Sequence, residues 1–221
     1  MASRHSILHM GNLLMVQERE RWLSRFVARQ WPERDSLDGF AVFEAGCSTG
    51  YNLRLFVQWG GRPEDMAGQD LDPDLTAYCV AHAPEIRVHT GSADAIPEPD
   101  ERFDLALAFT LFSSVPDDEV AAGIARELMR ITKPGGAIVV YDMRRKSGNA
   151  AVHPIQRAEL ARWFAPGRVT TETITLAPPI ARRIGRWLPW AYGPLARVPV
   201  LRTHAMHVIR RPAMPLERTD G

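Results

Sequence analysis

The sequence predicts an α/β fold built on a doubly wound, mostly parallel sheet. An apolar segment at 40–45 ends in a turn of small residues and leads into a helix, and a second apolar segment at 103–109 has the composition of a strand covered on both faces. Short strands alternate with helical segments along the chain. A chain of 221 residues, 45% apolar and 24% charged, is long enough for one such domain and short for two. We therefore expect a single domain over 1–221.

The elements follow in order from the apolar pattern. An amphipathic helix at 12–30 comes first, and a turn-rich link up to residue 39 joins it to the sheet. Further helices are expected at 73–83, 116–132 and 156–164. The strands are predicted at 40–45, 66–70, 86–89, 103–109, 137–143, 169–176 and 203–209.

The turn after the first strand is the most informative stretch, because small residues let the backbone come close to a ligand at the N-terminus of a helix. A dinucleotide fingerprint, G-x-G-x-x-G, would need glycines at 46, 48 and 51, where the chain has Gly46, Ser48 and Tyr51. The serine-hydrolase turn, G-x-S-x-G, matches 46–50 with Ser48 as the nucleophile. That fold places its nucleophile after several strands, however, whereas Ser48 follows the first predicted strand.

A third interpretation rests on Glu44, Gly46, Ser48 and Gly50. They resemble the acid-x-G-x-G-x-G turn of class I S-adenosylmethionine-dependent methyltransferases, with serine in place of one glycine. A second passage, 128–140, resembles the helix-turn-strand passage of the same family, in particular of the small bacterial type 11 methyltransferase-domain proteins. The resemblance implies that S-adenosyl-L-methionine is the cofactor, held in part by these four residues. It also implies a Rossmann-like, seven-stranded sheet whose last two strands form an antiparallel edge pair.

The resemblance divides the chain by role. It implies an N-terminal helix and link at 12–39, a cofactor-binding core at 40–143, and a region at 144–221 with acceptor-side loops, a basic aromatic segment and the edge strands. Three segments resemble a subgroup associated with bacterial surface-polysaccharide synthesis: 112–114, 141–144 and 176–183. A sugar hydroxyl or phosphate at a glycan end is therefore one expected acceptor.

Asp70 is the candidate for binding the cofactor ribose. It ends the second predicted strand 20 residues after Gly50, the separation at which nucleotide-binding folds place an acid for the ribose hydroxyls. Leu71 follows it and joins the candidate cofactor residues. Asp72 and Asp74 flank a proline at the start of a helix, which is typical of a cap and a first turn. We therefore expect those two acids to be structural.

Three further residues complete the predicted cofactor site. The resemblance assigns the adenine amino group to Asp94 and the adenine ring to the backbone N–H of Ala95, in the loop after the third strand. Phe109, at the end of the fourth strand, is a candidate for a backbone contact with the methionine part, since ligands of open α/β sheets bind at the carboxyl ends of the strands.

The acceptor side offers a smaller set of candidates. A general base is needed if the acceptor is an alcohol or a protonated amine, and Asp142 and His153 are the candidate bases. Phe112 is predicted to line the substrate side, although it could equally belong to the core. Arg144 and Arg182 are candidate substrate-binding residues.

The C-terminal region is strongly basic. No acid occurs between Thr173 and Leu216, and aromatic residues such as Trp187 and Trp190 are interleaved with arginines. This pattern favours an acidic acceptor or peripheral contact with an anionic lipid surface. The alternative is a helix that packs on the sheet, with arginine stems covering apolar surface. The arginines are Arg182, Arg183, Arg186, Arg197, Arg202, Arg210 and Arg211.

Composition excludes several classes of protein. A formal net charge of +1 argues against a nucleic-acid partner, and no segment has the run of apolar residues that crosses a bilayer. Two cysteines make no disulfide framework, no cluster of residues has metal-ligand spacing, and a cytoplasmic location is expected. The oligomeric state stays open.

The expected activity is methyl transfer to a hydroxyl or similar oxygen, on a glycan or other small anionic substrate. Three alternatives stay open: an N-methyltransferase of a small metabolite, a cofactor-binding protein without turnover, and a serine hydrolase at Ser48.

Overall fold

The computed structural model describes residues 6–145 and 153–212. Within them the chain forms seven strands, β1 Val42–Ala45, β2 Met66–Asp70, β3 Arg87–Thr90, β4 Phe103–Phe109, β5 Thr132–Met143, β6 Arg168–Leu176 and β7 Arg202–Arg210. The helices of the same residues are α1 Met10–Gln30, α2 Tyr51–Gln58, α3 Pro73–His82, α4 Asp118–Ile131, α5 Arg157–Trp163, α6 Pro178–Trp187 and α7 Tyr192–Ala196.

The strands form one sheet in the order β3-β2-β1-β4-β5-β7-β6. The first five strands pair in parallel, and β5, β7 and β6 are antiparallel to one another. The predicted fold class, with an antiparallel pair at the edge, is confirmed. Strand order reverses direction at β1, so the crevice between the carboxyl ends of β1 and β4 is where such a sheet binds ligands.

Complete burial explains why β1 and β4 lie at the centre. Every residue of both strands is buried, and Ala45 of β1 pairs with Ala108 of β4 near their carboxyl ends. These alanines share one core cluster with Phe43 and Phe103, whose ring centroids are 5.3 Å apart. The carboxyl ends of these two central strands are therefore where a ligand is expected to bind.

The start of β5 differs from the prediction. The strand was predicted at 137–143, but β5 begins at Thr132 and includes the Pro134–Gly136 turn. The pairing with β4 shifts register between Phe103 and Leu105, and Gly135 has a φ of 77°. An irregular, bulged strand start accommodates a proline and two glycines without losing the pairing that follows.

Internal contacts divide the described chain into two compact units. Residues 6–35 and 172–206 form what we call the helical unit, and residues 36–145, 153–171 and 207–212 form the sheet unit. The prediction of a single domain stays a prediction. No helix of these ranges is both long and apolar enough to cross a membrane.

The helical unit is held together by a close crossing of α1 and α6. A Cβ atom on Gly11 would overlap the carbonyl of Ala181, and one on Gly185 would overlap the backbone of Gly11. Only glycine at both positions permits this approach. In the same unit, the hydroxyl of Tyr192 in α7 donates to Glu18 of α1 at 2.6 Å.

Buried histidines of β7 predict acid sensitivity. Burial lowers the pKa of His204 and of His207 from 6.5 to about 4, and the Arg19 charge adds to this for His204. In the unfolded chain both histidines become protonated below pH 6.5, whereas in the folded chain they stay neutral until the pH is near 4. The free energy of unfolding therefore falls as the pH falls through this window. Between pH 6.5 and pH 5 we expect a loss of about 1.6 kcal/mol per histidine in the free energy of unfolding.

Denaturant unfolding at several pH values tests this expectation. Most carboxylates titrate below about pH 5, so the histidines dominate above it. The free energy of unfolding of the His204→Gln, His207→Gln double variant should depend much less on pH than that of the wild type. An equal dependence on pH in both proteins would contradict the assignment.

Candidate functional site

The turn that leaves β1 is held in a left-handed conformation. Gly46, Ser48 and Gly50 have φ angles of 69°, 50° and 75°. The N–H groups of Gly46 and Cys47 donate to the carbonyl of Gln69 at 2.8 and 3.1 Å, which ties the turn to the end of β2. A Cβ on Gly50 would overlap the Cys79 sulfur, so glycine is required there for packing as well as for conformation.

Asp70 organises the turn from the neighbouring strand end. Its Oδ2 accepts from the N–H of Ser48 at 2.7 Å, and its Oδ1 accepts from the N–H of Asp72 at 3.0 Å. A carboxylate has about four acceptor positions, so two stay available to hydroxyl groups of a ligand. Asp72 accepts from the N–H groups of Asp74 and Leu75 and caps α3, which confirms its structural role.

The exit of β4 completes the crevice and contains a residue that the sequence analysis missed. Thr110 has a φ of 54°, an uncommon conformation for a β-branched residue, and its Oγ1 donates to the carbonyl of Phe109 at 2.7 Å. The next side chain, Leu111, lies 3.3 Å from where a Cβ of Gly46 would be. The β4 exit therefore packs on the turn, and no composition signal marks the strained threonine.

A second missed residue, Gln69, fixes the loop after β3. Its Nε2 donates to the carbonyls of Ser92 and Ala95 at 2.7 and 3.3 Å. The side chain is buried, and within the described residues its Oε1 has no hydrogen-bond partner. A buried amide between an acid and a loop gives no sequence signal beyond its place next to Asp70.

The loop is also fastened to α4. Glu127 accepts from the N–H of Ile96 at 2.8 Å, and Arg130 donates to the Ile96 carbonyl at 2.8 Å. A Cβ on Gly123 would lie 2.9 Å from the Cβ of Asp94, so this glycine lets the loop approach the helix. Asp94 is exposed, with its carboxylate accessible to a ligand.

The predicted contact through Ala95 is not favoured by the geometry. Its N–H donates to the carbonyl of Ser92 at 3.1 Å and closes a turn within the loop. That hydrogen bond would have to be shared or broken before the same N–H could meet an adenine ring. The assignment of Ala95 to the cofactor therefore stays a prediction.

Glu44 lies below the turn and not on its surface. It is buried, and the Nδ2 of Asn52 donates to its Oε1 at 2.5 Å. This bond fastens the first turn of α2 to β1 and so holds the turn between them in place. Direct contact of Glu44 with the cofactor stays a prediction.

At the end of β5 a buried carboxylate connects three segments. Asp142 is inaccessible to solvent, and it accepts from the N–H groups of Ser113 and Met143 at 3.0 and 2.9 Å. The N–H of His153 donates to the Ser113 carbonyl at 3.1 Å. Burial raises the pKa of Asp142, opposed by the Ser113 and Met143 hydrogen bonds and by the charge of His153. The carboxylate positions its neighbours, and the half-buried His153 is the more accessible of the two candidate bases.

The other predicted residues are placed as follows. Phe112 does not line a substrate surface, because it is fully buried and its ring stacks on Trp163 at 5.5 Å; the prediction that it contacts substrate is corrected to a core position. Leu71 is exposed beside Asp70. Arg144 follows β5 and is half-buried, and Arg182 lies in α6 of the helical unit. Their contacts with substrate stay predictions.

Ser48 gives a direct test of the turn. Because it is a non-glycine residue at a φ of 50°, glycine there should relieve about 1 kcal/mol of backbone strain, which roughly offsets the entropy that glycine loses on folding. We expect Ser48→Gly to melt within a few degrees of the wild type and to bind S-adenosylhomocysteine equally or more tightly. Calorimetry and thermal melts check this, and a large loss of affinity would contradict it.

The hydrolase alternative for Ser48 lacks its base. Within the described residues, no histidine forms a hydrogen bond with the Ser48 hydroxyl, and its N–H is engaged by Asp70. Burial also raises the pKa of the neighbouring Cys47 thiol, with the Glu44 charge adding to it, so that thiol stays protonated.

The residues of the crevice fit a nucleoside cofactor with a charged tail. Asp70 has acceptor capacity left for a diol, the buried Oε1 of Gln69 has no partner among the described residues, and the glycine turn exposes backbone beside both. Asp94 adds an exposed carboxylate on the loop that Gln69 fixes.

Comparison with known proteins agrees with this chemistry. Residues 42–136 match the family described as "Methyltransferase domain". The chain is 27% identical to the 2-methyl-6-phytyl-1,4-hydroquinone methyltransferase of Synechocystis sp. over 65% of its length and 46% of that protein. It is 26% identical to a ubiquinone biosynthesis O-methyltransferase of Azorhizobium caulinodans over 59% of its length and 51% of that protein. The chain thus spans about half the length of these relatives.

The fold itself is shared more widely. The structure of a SAM dependent methyltransferase from Archaeoglobus fulgidus superposes with a TM-score of 0.59 at 15% identity, covering 90% of this chain and 99% of that one. At this identity the likeness concerns the fold alone.

Proposed function

We propose that this chain, a member of the class I S-adenosylmethionine-dependent methyltransferases, is an enzyme that transfers a methyl group to an oxygen atom of its acceptor. The observation that carries the proposal is the left-handed turn Gly46–Gly50 clamped by Asp70 at the switch point of the sheet. Bound S-adenosyl-L-methionine supplies a methyl group on a positively charged sulfur. The chain therefore has to bind the acceptor, orient it toward the methyl group, exclude water from the site and take up the proton that the acceptor loses.

Four residues share the binding of the cofactor. Asp70 accepts from the ribose hydroxyls with the acceptor positions that Ser48 and Asp72 leave unused, as charge-assisted hydrogen bonds. Gln69 holds the loop that presents Asp94 to the adenine amino group. Gly46 lets the backbone approach the methionine end, next to the packed exit of β4.

His153 acts as the general base that takes the proton from the acceptor hydroxyl. A hydroxyl acceptor has to lose its proton as the methyl group arrives, and a positioned imidazole is the commonest base for that step. Asp142 and Ser113 act as positioning residues, since the carboxylate fixes the N–H of Ser113 and the carbonyl of Ser113 accepts from the N–H of His153.

The names of the relatives bear on the acceptor. One is named for a phytyl hydroquinone and another for O-methylation in ubiquinone biosynthesis. Oxygen is therefore preferred over nitrogen, and a ring hydroxyl on an isoprenoid-tailed molecule is the first acceptor class to assay. The glycan hydroxyl suggested by the sequence has no counterpart among these relatives and stays as the second class to assay.

Methyl-labelled cofactor with a panel of acceptors tests the function. The full chain should move label to hydroquinones with isoprenoid tails or to glycan hydroxyls, and the product should carry an O-methyl group by mass spectrometry. Label on amines alone would contradict the oxygen assignment. Tight cofactor binding with no labelled product from any acceptor would support a cofactor-binding protein without turnover.

His153→Ala tests the base. Removing a general base typically costs about 100- to 10,000-fold in rate, so kcat should fall by that range while the Kd for S-adenosylhomocysteine stays within about twofold. His82→Ala, on the exposed face of α3, is the matched control and should keep full activity. An unchanged kcat, or a loss that only follows the folded fraction in thermal melts, would remove His153 from the reaction.

A further inference from the structure

The exposed face of α6 carries an unusual combination of side chains. Arg183 is exposed one helical turn before the adjacent exposed residues Arg186 and Trp187, and Trp190 continues this spacing into the turn that follows α6. The two indoles are 71% and 73% exposed, and the Arg186 guanidinium lies 4.9 Å above the Trp187 ring. We call these four residues the Arg-Trp stripe. Large exposed aromatic side chains of this kind mark interaction sites.

The opposite face of α6 is occupied. Ala181 and Gly185 are buried against α1, and Ile180 and Ile184 pack on a small core around Leu176. The stripe is therefore the face that the helical unit turns to solvent, and its arginines do not serve to cover the internal apolar surface. This separates it from the alternative in which arginine stems shield a packed helix.

Additional apolar side chains are brought beside α6 by the glycine crossing. A Cβ on Gly185 would lie 3.1 Å from the backbone carbon of Met10. The residues just before that point, Ile7 and Leu8, are exposed, Leu8 at 87%. Leu188, directly after the helix, is also exposed. Apolar and basic groups therefore concentrate at one end of the helical unit.

We propose that this end of the helical unit docks on an anionic membrane surface, with the indoles and leucines inserted at the headgroup level and the arginines among the lipid phosphates. Charge complementarity is the main argument: the segment 174–215 contains no acid, so nothing in it repels an anionic surface. Tryptophan and arginine on one face, with aliphatic neighbours, are typical of helices that lie in the interface plane.

Other occupants fit less well. A second copy of the chain would bring arginine stripes against each other in a symmetric contact, without acids in the segment to pair with them. A nucleic acid would use the arginines and indoles but would leave Leu8 and Leu188 without a role. The proposal does not rest on the methyltransferase assignment, because the Arg-Trp stripe belongs to the helical unit and the candidate site to the sheet unit.

Vesicle binding of the full chain tests the proposal. Co-sedimentation is measured with vesicles of phosphatidylcholine alone and with equal parts phosphatidylcholine and phosphatidylglycerol, at low and high salt. We expect binding to the anionic vesicles only, weakened by salt, with an about tenfold or larger loss in the Arg183→Gln, Arg186→Gln double variant. The Trp187→Ala, Trp190→Ala double variant should lose a similar factor and should no longer show the blue shift of tryptophan fluorescence that the wild type shows on binding.

The control is Arg25→Gln with Arg29→Gln. Both arginines are exposed near the far end of α1, in the same unit, and the charge change is identical. Full vesicle binding by this variant, together with loss in the stripe variants at unchanged melting temperature, supports the proposal. Equal binding by the control and stripe variants, equal binding to neutral vesicles, or stripe-dependent binding of single-stranded RNA or of a second copy without vesicle binding would overturn it. Methyl transfer to a water-soluble acceptor is assayed in parallel, so that failure of either claim is seen separately.

Discussion

Asp70→Ala is expected to weaken S-adenosylhomocysteine binding by about 100-fold. The substitution removes the acceptor for the ribose hydroxyls and the anchor of the Ser48 N–H. Hydrogen bonds to a charged group contribute about 1.5 to 3 kcal/mol each, and about 3 kcal/mol in total corresponds to about 100-fold in Kd. Isothermal titration calorimetry on the full chain measures it.

A neighbouring carboxylate provides the control for Asp70. Asp72→Ala removes the cap of α3, which should cost about 1 kcal/mol of stability, but it should leave the Kd within a few-fold. Asp70→Asn keeps one acceptor oxygen and should fall between the wild type and Asp70→Ala. Unchanged affinity in a folded Asp70→Ala protein would remove Asp70 from the cofactor site.

Gly46→Val should abolish detectable cofactor binding. A β-branched residue at a φ of 69° is strained by about 1 to 2 kcal/mol or more, and its Cβ would lie 3.3 Å from the Cδ1 of Leu111. The added side chain would also occupy the space in which the backbone of the turn meets the ligand. Fluorescence or calorimetric titration measures the binding, and urea unfolding measures the cost in stability.

Gly39→Val is the control that separates the effect of backbone strain from the loss of the backbone contact with the cofactor. Gly39 has a φ of 66°, close to that of Gly46, and a Cβ there would meet nothing within 4 Å. Both variants should therefore carry the same kind of backbone strain, with the Leu111 contact adding to the loss of stability in Gly46→Val, but only Gly46→Val should lose the cofactor. If Gly39→Val weakened binding as much, general destabilisation would explain the loss, and the close approach at Gly46 would lose its support.

The apolar pattern predicted the sheet because strand burial dominates the sequence signal. Both ends of β4 were predicted as observed, since Phe103 and Phe109 bound a run that is apolar except for Asp104, and β2 likewise ended at Asp70. The end of a strand is visible in sequence because a polar residue interrupts the run there. The location of Asp70 beside the turn then follows from parallel pairing of β1 and β2.

The sequence pattern could not predict which way individual side chains point. Phe112 leaves β4 on a short helical turn that points its ring at Trp163, and Asp142 lies one strand away with both oxygens engaged by backbone. Both depend on contacts between segments far apart in sequence. Thr110 has a left-handed backbone because its N–H reaches the carbonyl of Tyr141 at 2.6 Å, which no local propensity predicts.

For the basic C-terminal region, the sequence predicted the composition but could not predict which face of the helix is buried. Its charge and aromatic content were plain in the sequence, but whether the arginines covered apolar surface depended on which face of α6 was buried. The glycine pair Gly11 and Gly185 decides this, because only their close approach buries the Ala181 face against α1. Gly11 precedes the helix that the sequence predicted at 12–30, so the pair could not be recognised in advance.

A crystal structure of the full chain with S-adenosylhomocysteine tests the central claim most directly. We expect the ribose hydroxyls within hydrogen-bonding distance of Asp70, the adenine beside Asp94 on the loop that Gln69 holds, and the amino-acid tail against the turn at Gly46. A ligand bound elsewhere, or a ribose that does not contact Asp70, would contradict it.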